Sequence, residues 1–188
     1  MQKFLITGLG NIGAEYELTR HNIGFLIADA LANELKINFT TGRLAATAEG
    51  SFRGKKVYII KPSTYMNLSG NAMRYWLKEN NIETINSLTL VDDLALPFGE
   101  IRIKGSGSDA GHNGLTSIQE VLGTQKYPRL RFGIGNDFAK GKQVNYVLGT
   151  WSDEEAKGLQ ERIPKCIEAI KEFMLGGLEN AMNKYNGK

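Results

Sequence analysis

The sequence predicts an α/β fold in which a mixed, largely parallel, twisted sheet is flanked by helices. Short apolar runs that fit buried strands alternate along the chain with segments of helical periodicity. No internal repeat or linker interrupts this alternation. The 188 residues, of which 41% are hydrophobic and 23% charged, suffice for one core, so we expect residues 1–188 to form a single domain.

The first half of the chain predicts a strand, a helix and a hairpin in that order. Residues 3–8 form an apolar strand, and apolar residues recur at helical spacing through 22–35. Two strand-like runs, Leu44–Phe52 and Lys56–Ile60, flank Arg53-Gly54-Lys55, which is typical of a hairpin.

A loop and a second helix are predicted after the hairpin. Residues 61–67 are expected to form the loop, because Pro62 cannot donate to a strand ladder. Ser69 is the predicted N-cap of a helix that extends through Asn80, with Met73, Trp76 and Leu77 facing inward.

The second half of the chain continues the alternation. Isoleucines alternate with basic residues in 100–104, so one face of that strand should be solvated. A helix is predicted from Asn113 to Leu122, ended by Gly123. Strands are predicted at 88–92 and 130–134, followed by a short apolar segment at 144–148. A capping box at 152–155 opens a helix, which Pro164 should kink or divide. Gly176-Gly177 should end this helix before a final short one.

Composition excludes several classes of protein. The single cysteine, Cys166, excludes an internal disulfide and a multi-cysteine zinc site. No segment approaches the ~20 apolar residues of a membrane span, and the N-terminus does not resemble a signal peptide. We therefore expect a cytoplasmic protein with no membrane partner. The net charge of +3 points weakly to an anionic partner.

Three glycines after the first strand raise the alternative of a dinucleotide-binding site. Gly8, Gly10 and Gly13 spell G-x-G-x-x-G. In a dinucleotide site the helix begins inside that motif, so that its N-terminus meets the pyrophosphate. Here the helical pattern begins only near Asn22, and no acidic residue ends a clear second strand at the expected distance. No nucleotide cofactor is therefore expected.

Polar residues collect at the ends of the predicted elements. A histidine with an aspartate at the end of a central strand suggests a general base and the group that orients it. Asparagine amides suit the fixing of a water molecule or a carbonyl group. No G-x-S-x-G elbow or H-E-x-x-H motif is present, so water is the favoured nucleophile and no metal is expected. The residues are Asn11, His21, Asn22, Asn67, Asp92, Asp93 and Asn113.

Five segments of the chain follow one another in order: GLGNIGAEYELTRHNIGF, KPSTYMNLSG, VDDLALPFGEIRIK, GHNGLTSI and RLRFGIG. Together, in this order and at compatible spacing, they resemble the successive signatures of bacterial peptidyl-tRNA hydrolase. The likeness extends from Phe4 to Gly149, and later residues match only in helical character. It implies a monomeric esterase without metal or cofactor that cleaves the ester between a peptide and the 3′ end of its partner, peptidyl-tRNA.

The resemblance also implies roles for residues at matching positions. His21 matches the catalytic base, and Asp92 the residue that orients it. Asn11 matches a further catalytic residue that also holds the substrate, and Asn67 and Asn113 match residues that hold the substrate. Tyr16, Tyr65 and Met66 match positions near the peptide and the terminal nucleotide. Lys104 and Arg131 match basic residues that bind a tRNA phosphate. Ile12, Ala95 and Ala110 depart from the family pattern, which usually has a proline, an acid and a glycine there.

Alternatives remain at single residues and for the whole chain. His21 or Asn113 could instead cap a helix. Asp93, and Asp92 if taken alone, are typical of a turn, and His112 suits a structural role. Lys104 and Arg131 could simply lie on a solvent-exposed face of their strands. Residues 105–111 are expected to form a mobile gate over the cleft. The chain as a whole could instead be a non-catalytic RNA-binding module on the same fold or, less favoured, an esterase for small N-acylated esters.

Overall fold

A computed structural model describes all 188 residues and contains one seven-stranded sheet. The strands are β1 (Lys3–Gly8), β2 (Thr40–Thr41), β3 (Ala45–Phe52), β4 (Lys55–Pro62), β5 (Ser87–Asp93), β6 (Ile101–Lys104) and β7 (Arg129–Gly133). The helices are α1 (Ile23–Glu34), α2 (Ser69–Glu79), α3 (Asn113–Leu122), α4 (Gln143–Val147), α5 (Asp153–Gly176) and α6 (Leu178–Tyr185). Across the sheet the order is β2-β3-β4-β1-β5-β7-β6.

The centre of the sheet is parallel and its two sides are antiparallel. Strands β4, β1, β5 and β7 are parallel neighbours, whereas β2 and β3 on one side and β6 on the other pair antiparallel. The predicted fold class is confirmed. Because the central strands share a direction, their carboxyl ends meet at one edge of the sheet, where α/β proteins place their sites.

Helices cover both faces of the sheet. Successive side chains of β1 point to opposite faces, as the twofold period of a strand requires. Phe4 and Ile6 pack in the core shared with α1, α5 and α6, whereas Leu5 packs in a second core with α2 and α3. None of the helices is long and apolar enough to cross a lipid bilayer.

Helix α1 approaches the sheet closely because Gly24 lies at the contact. A Cβ atom on Gly24 would lie 2.5 Å from the amide nitrogen of Leu9 and 2.5 Å from the carbonyl oxygen of Leu90. Only glycine therefore fits between α1 and the ends of β1 and β5. His21, two residues before α1, is thereby held at the carboxyl edge of the sheet.

Two boundary predictions around α2 are wrong. Pro62 is the last residue of β4 rather than part of a loop, since beyond Ile60 that strand pairs only with β3. A proline is tolerated at such a terminal edge position. Ser69 is the first residue of α2 and not its N-cap, because a 3₁₀ turn at Met66–Leu68 leads directly into the helix. Its hydroxyl group donates to the Met66 carbonyl.

Two features of the C-terminal third complete the prediction there. The short apolar segment predicted at 144–148 lies mostly in α4, which covers residues 143–147. Helix α5 opens with the predicted capping box at Ser152 and Glu155, but Pro164 does not divide it. Pro164 and Gln160 are both exposed, so solvent can satisfy the Gln160 carbonyl that the missing amide leaves without a partner.

Candidate active site

The carboxylate of Asp92 is the centre of a polar group at the carboxyl edge of the sheet. Asp92 lies near the end of β5 and is 6% exposed. Its Oδ2 lies 2.9 Å from His21 Nδ1, and its Oδ1 lies 2.8 Å from His112 Nε2. Both histidines of the chain thus bind one buried carboxylate. We call His21, Asp92 and His112 the polar centre.

The tautomer of His112 follows from its contacts. His112 is the N-cap of α3, and its Nδ1 accepts from the backbone amides of Gly114 at 3.0 Å and Leu115 at 3.4 Å. Nδ1 therefore carries no proton, and Nε2 donates to Asp92. The alternative in which Asn113 caps this helix is wrong, because Asn113 is its first residue.

His21 has one ring nitrogen left for chemistry. It lies in a 3₁₀ turn, Arg20–Asn22, immediately before α1, and neither it nor Asn22 caps that helix through a side chain. Its Nδ1–H donates to Asp92, so Nε2 is unprotonated in the neutral ring. His21 borders a cleft of about 200 Å³, and Nε2 is the nitrogen without a protein partner.

Burial and charge act in opposite directions on the pKa values of this pair. Burial lowers the pKa of His21, but the charge of Asp92 and its hydrogen bond outweigh burial and raise that pKa above 6.5. Burial also raises the pKa of Asp92, yet interactions with His112 and His21 hold it far below its ordinary range. Asp92 is therefore ionised at neutral pH.

Asn11, in the loop after β1, is fixed in one orientation. Its backbone amide donates to Asn22 Oδ1 at 2.8 Å, and Asn22 Nδ2 donates to the Asn11 carbonyl at 2.9 Å. The side-chain Oδ1 of Asn11 accepts from the Met66 amide at 2.8 Å. The Nδ2 group of Asn11 has no protein acceptor, so it is a free and oriented hydrogen-bond donor.

The other predicted substrate residues differ in exposure. Asn113 borders the His21 cleft, and both Asn67 and Asn113 are exposed with side chains free of protein hydrogen bonds. Tyr16 is half-buried and Tyr65 is 57% exposed. Met66 is buried in the core shared with α2 and α3, so its backbone amide, not its side chain, contacts Asn11.

Strands β6 and β7 present basic side chains on one face. Residues directly opposite in an antiparallel pair point to the same side, and Arg102 pairs with Arg131 as Lys104 pairs with Arg129. The isoleucines of β6 point into the core on the other side. Lys104 and Arg131 are diagonal neighbours on what we call the basic face, formed by Arg102, Lys104, Arg129 and Arg131.

The members of the basic face are not equally free. Lys104 is exposed and has no ion pair, whereas Arg131 is 8% exposed and also borders the His21 cleft. Arg131 Nη2 donates to the Ser108 carbonyl at 3.0 Å, and Nη1 lies 3.6 Å from Asp93 Oδ2. The interpretation of Arg131 as a solvated residue is therefore wrong.

The loop at 105–111 is tied down at several points. Arg129, fully buried, donates to the Gly107 carbonyl at 3.1 Å, and Arg131 donates to the next carbonyl. Asp109 accepts from the Gly111 amide and from the Thr116 hydroxyl. A mobile gate here stays a prediction, which rapid amide exchange across the loop would support and full protection would contradict.

The cleft contains no hydroxyl or thiol nucleophile. No serine, threonine or cysteine lines it. Cys166 is buried in α5, and desolvation raises the pKa of its thiol to about 12, so it is not a thiolate at neutral pH. The ligand atoms of the polar centre lie within 4.8 Å of one another, but a metal ion there would have to replace both hydrogen bonds to Asp92.

A fixed imidazole, a buried carboxylate and a free amide donor, without a hydroxyl or thiol nucleophile, are the parts of a hydrolase that activates water. The comparisons identify the family. The peptidyl-tRNA hydrolase family model matches residues 5–188, so the chain belongs to that family of hydrolases. The match extends to the C-terminus, beyond the Gly149 limit of the recognised motifs.

Relatives and a solved structure agree with this assignment. Peptidyl-tRNA hydrolases of Phocaeicola vulgatus and Bacteroides fragilis are 58% and 55% identical to this chain, covering 99% of it and 100% of each relative. The crystal structure of peptidyl-tRNA hydrolase from Acinetobacter baumannii has a TM-score of 0.92 at 33% identity, covering 98% of this chain and 94% of that one.

Two contacts of the site are not predicted by the sequence. The bridge from Asn22 to Asn11 depends on the turn that brings residues 11 and 22 together. The sequence predicts a structural role for His112, but not its contact with Asp92, from which it is separated by 20 residues. The only signal for Asn22 in the sequence is its position directly after His21.

Proposed function

We propose that this chain hydrolyses the ester bond that joins a peptide, or an N-blocked amino acid, to the 3′ end of tRNA, and so releases tRNA for reuse in translation. The observation that carries the proposal is the 2.9 Å contact between His21 Nδ1 and Asp92 Oδ2, which leaves Nε2 for a water molecule. Membership of the family supports the class of substrate.

The reaction begins when His21 Nε2 takes a proton from water as the water oxygen bonds to the ester carbonyl carbon. The carbonyl electron pair moves to oxygen, and the charge of Asp92 stabilises the imidazolium that forms. When the bond between that carbon and the ribose oxygen breaks, the imidazolium returns the proton to the ribose oxygen. The products are a peptide with a free carboxyl group and tRNA with a free 3′ end.

Asn11 is proposed to stabilise the oxyanion. Its Oδ1 is held by the Met66 amide, which directs the free Nδ2 donor without any reorganisation during the reaction. One such donor contributes about 3 kcal/mol in other acyl-transfer enzymes. Asn67 and Asn113 are proposed to hold the substrate through their exposed amides, with Tyr16 and Tyr65 around the peptide and terminal nucleotide. The buried Met66 is proposed to act there only through its backbone amide, which holds Asn11.

Lys104 and Arg131 are proposed to bind a tRNA phosphate, since they are diagonal neighbours on one face and Arg131 reaches the cleft. We further propose that residues 1–188 form a single domain and that the protein acts as a monomer in the cytoplasm. We also propose that it needs neither cofactor nor metal. These proposals rest on the resemblance to the family.

The test is hydrolysis of an N-blocked aminoacyl-tRNA, beside its unblocked counterpart, by wild type and His21→Ala in EDTA. We expect rapid cleavage of the blocked substrate alone, abolished in His21→Ala while tRNA binding survives. Loss of cleavage in EDTA that added metal restores would contradict the metal-free mechanism. Wild type that binds tRNA without cleaving it would favour the non-catalytic RNA-binding module.

A further inference from the structure

The side chain of Arg20, the residue before His21, contacts the segment that follows β7. Its Nη2 lies 2.9 Å from Glu155 Oε1, and its Nη1 donates to the Tyr146 carbonyl at 3.1 Å. The guanidinium group also lies 4.2 Å from the centre of the Tyr146 ring. The Arg20 side chain is 13% exposed, so these contacts replace most of its hydration.

The backbone of the same segment binds the turn that carries His21. The Arg20 amide donates to the Gly149 carbonyl at 3.0 Å, and Thr19 forms an isolated antiparallel bridge with Thr150. A Cβ atom on Gly149 would lie 2.8 Å from Arg20 Nη1. The chain at Gly149 therefore passes directly against the guanidinium group.

Helix α4 lies inside this segment and forms one wall of the His21 cleft. Gln143, Val144 and Val147 of α4 line the cleft, yet the helix has five residues and none of them is buried. A helix this short has little stability of its own. Besides the contacts with Arg20, α4 is held by the Tyr146 hydroxyl, which donates to the Ile134 carbonyl at 2.6 Å.

We propose that Arg20 is a positioning residue that holds α4 against the cleft and so seats the substrate beside His21. The effect on catalysis rests on the proposed function, but the hold on α4 does not. The orientation of His21 is set separately by Asp92. Removing the guanidinium group should therefore make α4 more mobile without changing the orientation of His21. As a result, KM should rise more than kcat falls.

Two measurements on Arg20→Ala test this role. Amide exchange in the free protein should become about tenfold faster across residues 143–149. With an N-blocked aminoacyl-tRNA, KM should rise about tenfold while kcat stays within about threefold of wild type. Arg20→Lys, which keeps the charge opposite Glu155 but not the fork that also reaches the Tyr146 carbonyl, should be intermediate in both.

Lys171→Ala is the matched control. Lys171 is a partly buried cation on α5 that pairs with Glu34 at 3.7 Å and Glu168 at 3.4 Å, and it does not line the cleft. Lys171→Ala also removes a partly buried cation and its ion pairs, which are longer and more exposed than the Arg20–Glu155 pair, and it should leave exchange at 143–149 unchanged. If Arg20→Ala does not fold, Arg20→Gln, which keeps part of the side-chain stem but not the guanidinium fork, should produce the same changes in exchange and KM.

Unchanged exchange at 143–149 in a folded variant would overturn the proposal. A tenfold fall in kcat with KM unchanged would also overturn it, because the effect would then lie on His21. The exchange measurement needs no substrate, so an inactive wild type would count against the proposed function while the role of Arg20 in holding α4 is decided independently.

Discussion

The polar centre and the basic face meet at the same cleft, but their side chains are held very differently. In the polar centre every ring nitrogen and carboxylate oxygen has a protein partner except His21 Nε2. On the basic face Lys104 is exposed without an ion pair, and Arg131 is shared between Ser108 and Asp93. The difference indicates that the polar centre acts through the fixed orientation of its side chains, whereas the basic face acts through its positive charge.

The two histidines of the polar centre allow the largest test of this comparison. His21→Ala should lower kcat by roughly 10²–10⁴, because it removes the only nitrogen free to act as a base. His112→Asn should lower kcat by less than about tenfold, because asparagine is also a good N-cap and His112 has no free nitrogen. Single-turnover hydrolysis of an N-blocked aminoacyl-tRNA measures both.

Equal losses in the two variants would mean that His112 shares the chemistry. Each variant should first show a cooperative thermal transition, since both histidines contact a carboxylate that is 6% exposed. A His112→Asn variant that does not fold would be replaced by His112→Gln.

Asp92→Asn breaks the polar centre at its middle. The amide can no longer fix the His21 tautomer or stabilise the imidazolium, so kcat should fall about 10²-fold or more. The residual activity should also change its pH dependence. Burial lowers the pKa of His21 and the charge of Asp92 raises it, so removing that charge lowers the pKa.

A base acts in its neutral form, so kcat/KM rises with pH through the pKa of His21 in the free enzyme. In wild type the midpoint of this rise should lie above 6.5, since the pKa of His21 is raised. In Asp92→Asn the midpoint should move to lower pH. A midpoint that stays fixed or moves upward would argue against His21 as the titrating base.

Substitutions on the basic face should change how tRNA binding depends on salt concentration. Lys104→Ala should weaken tRNA substrates several-fold and reduce the slope of log KM against log salt concentration by about 1, the effect of one lost phosphate contact. Arg131→Ala should act in the same direction, with added disturbance of the loop that it holds through Ser108. Neither should impair cleavage of a minimal peptidyl-nucleoside ester.

Arg43→Ala is the control for non-specific charge. Arg43 is also exposed and has no ion pair, but it lies before β3, on the opposite side of the sheet from β6. Its loss should leave the salt slope unchanged. If Lys104→Ala harms the minimal ester as much as the tRNA substrate, the role in phosphate binding is wrong.

Local patterns predicted most of the fold and placed several of the candidate residues at one edge of the sheet. The buried strand at 3–8, the helix ended by Gly123 and the capping box at Ser152 are all signals within a few residues, and all are confirmed. The carboxyl ends of parallel strands then bring the loop with Asn11 and Asp92 of β5 to one edge.

Contacts between distant segments could not be predicted in the same way. Asparagine is a better N-cap than histidine by propensity, yet His112 caps α3 because Asp92 lies within reach of its other nitrogen. The sequence predicts nothing for Arg129, which is fully buried because backbone carbonyls of Gln125, Tyr127 and Gly107 replace water around its guanidinium group. Such partners appear only when the chain is folded.

The smallest expected effect is that of a substitution at Ala110, which lines the cleft between the polar centre and the basic face. Its φ of 51° is in the left-handed region, which costs a residue with a Cβ roughly 1–2 kcal/mol relative to the right-handed one. Glycine removes that strain but loses about 0.4–1 kcal/mol through the freer unfolded chain. Ala110→Gly should therefore raise the free energy of unfolding by up to about 1.6 kcal/mol.

The activity of Ala110→Gly should stay within about twofold of wild type, because hydrogen bonds hold the loop on both sides of residue 110. Urea unfolding and kcat/KM measure the two effects separately. A loss of stability would mean that the Ala110 methyl group makes contacts worth more than the strain. A change in kcat/KM without one in stability would instead show that loop stiffness, and not only the polar centre and the basic face, limits the reaction.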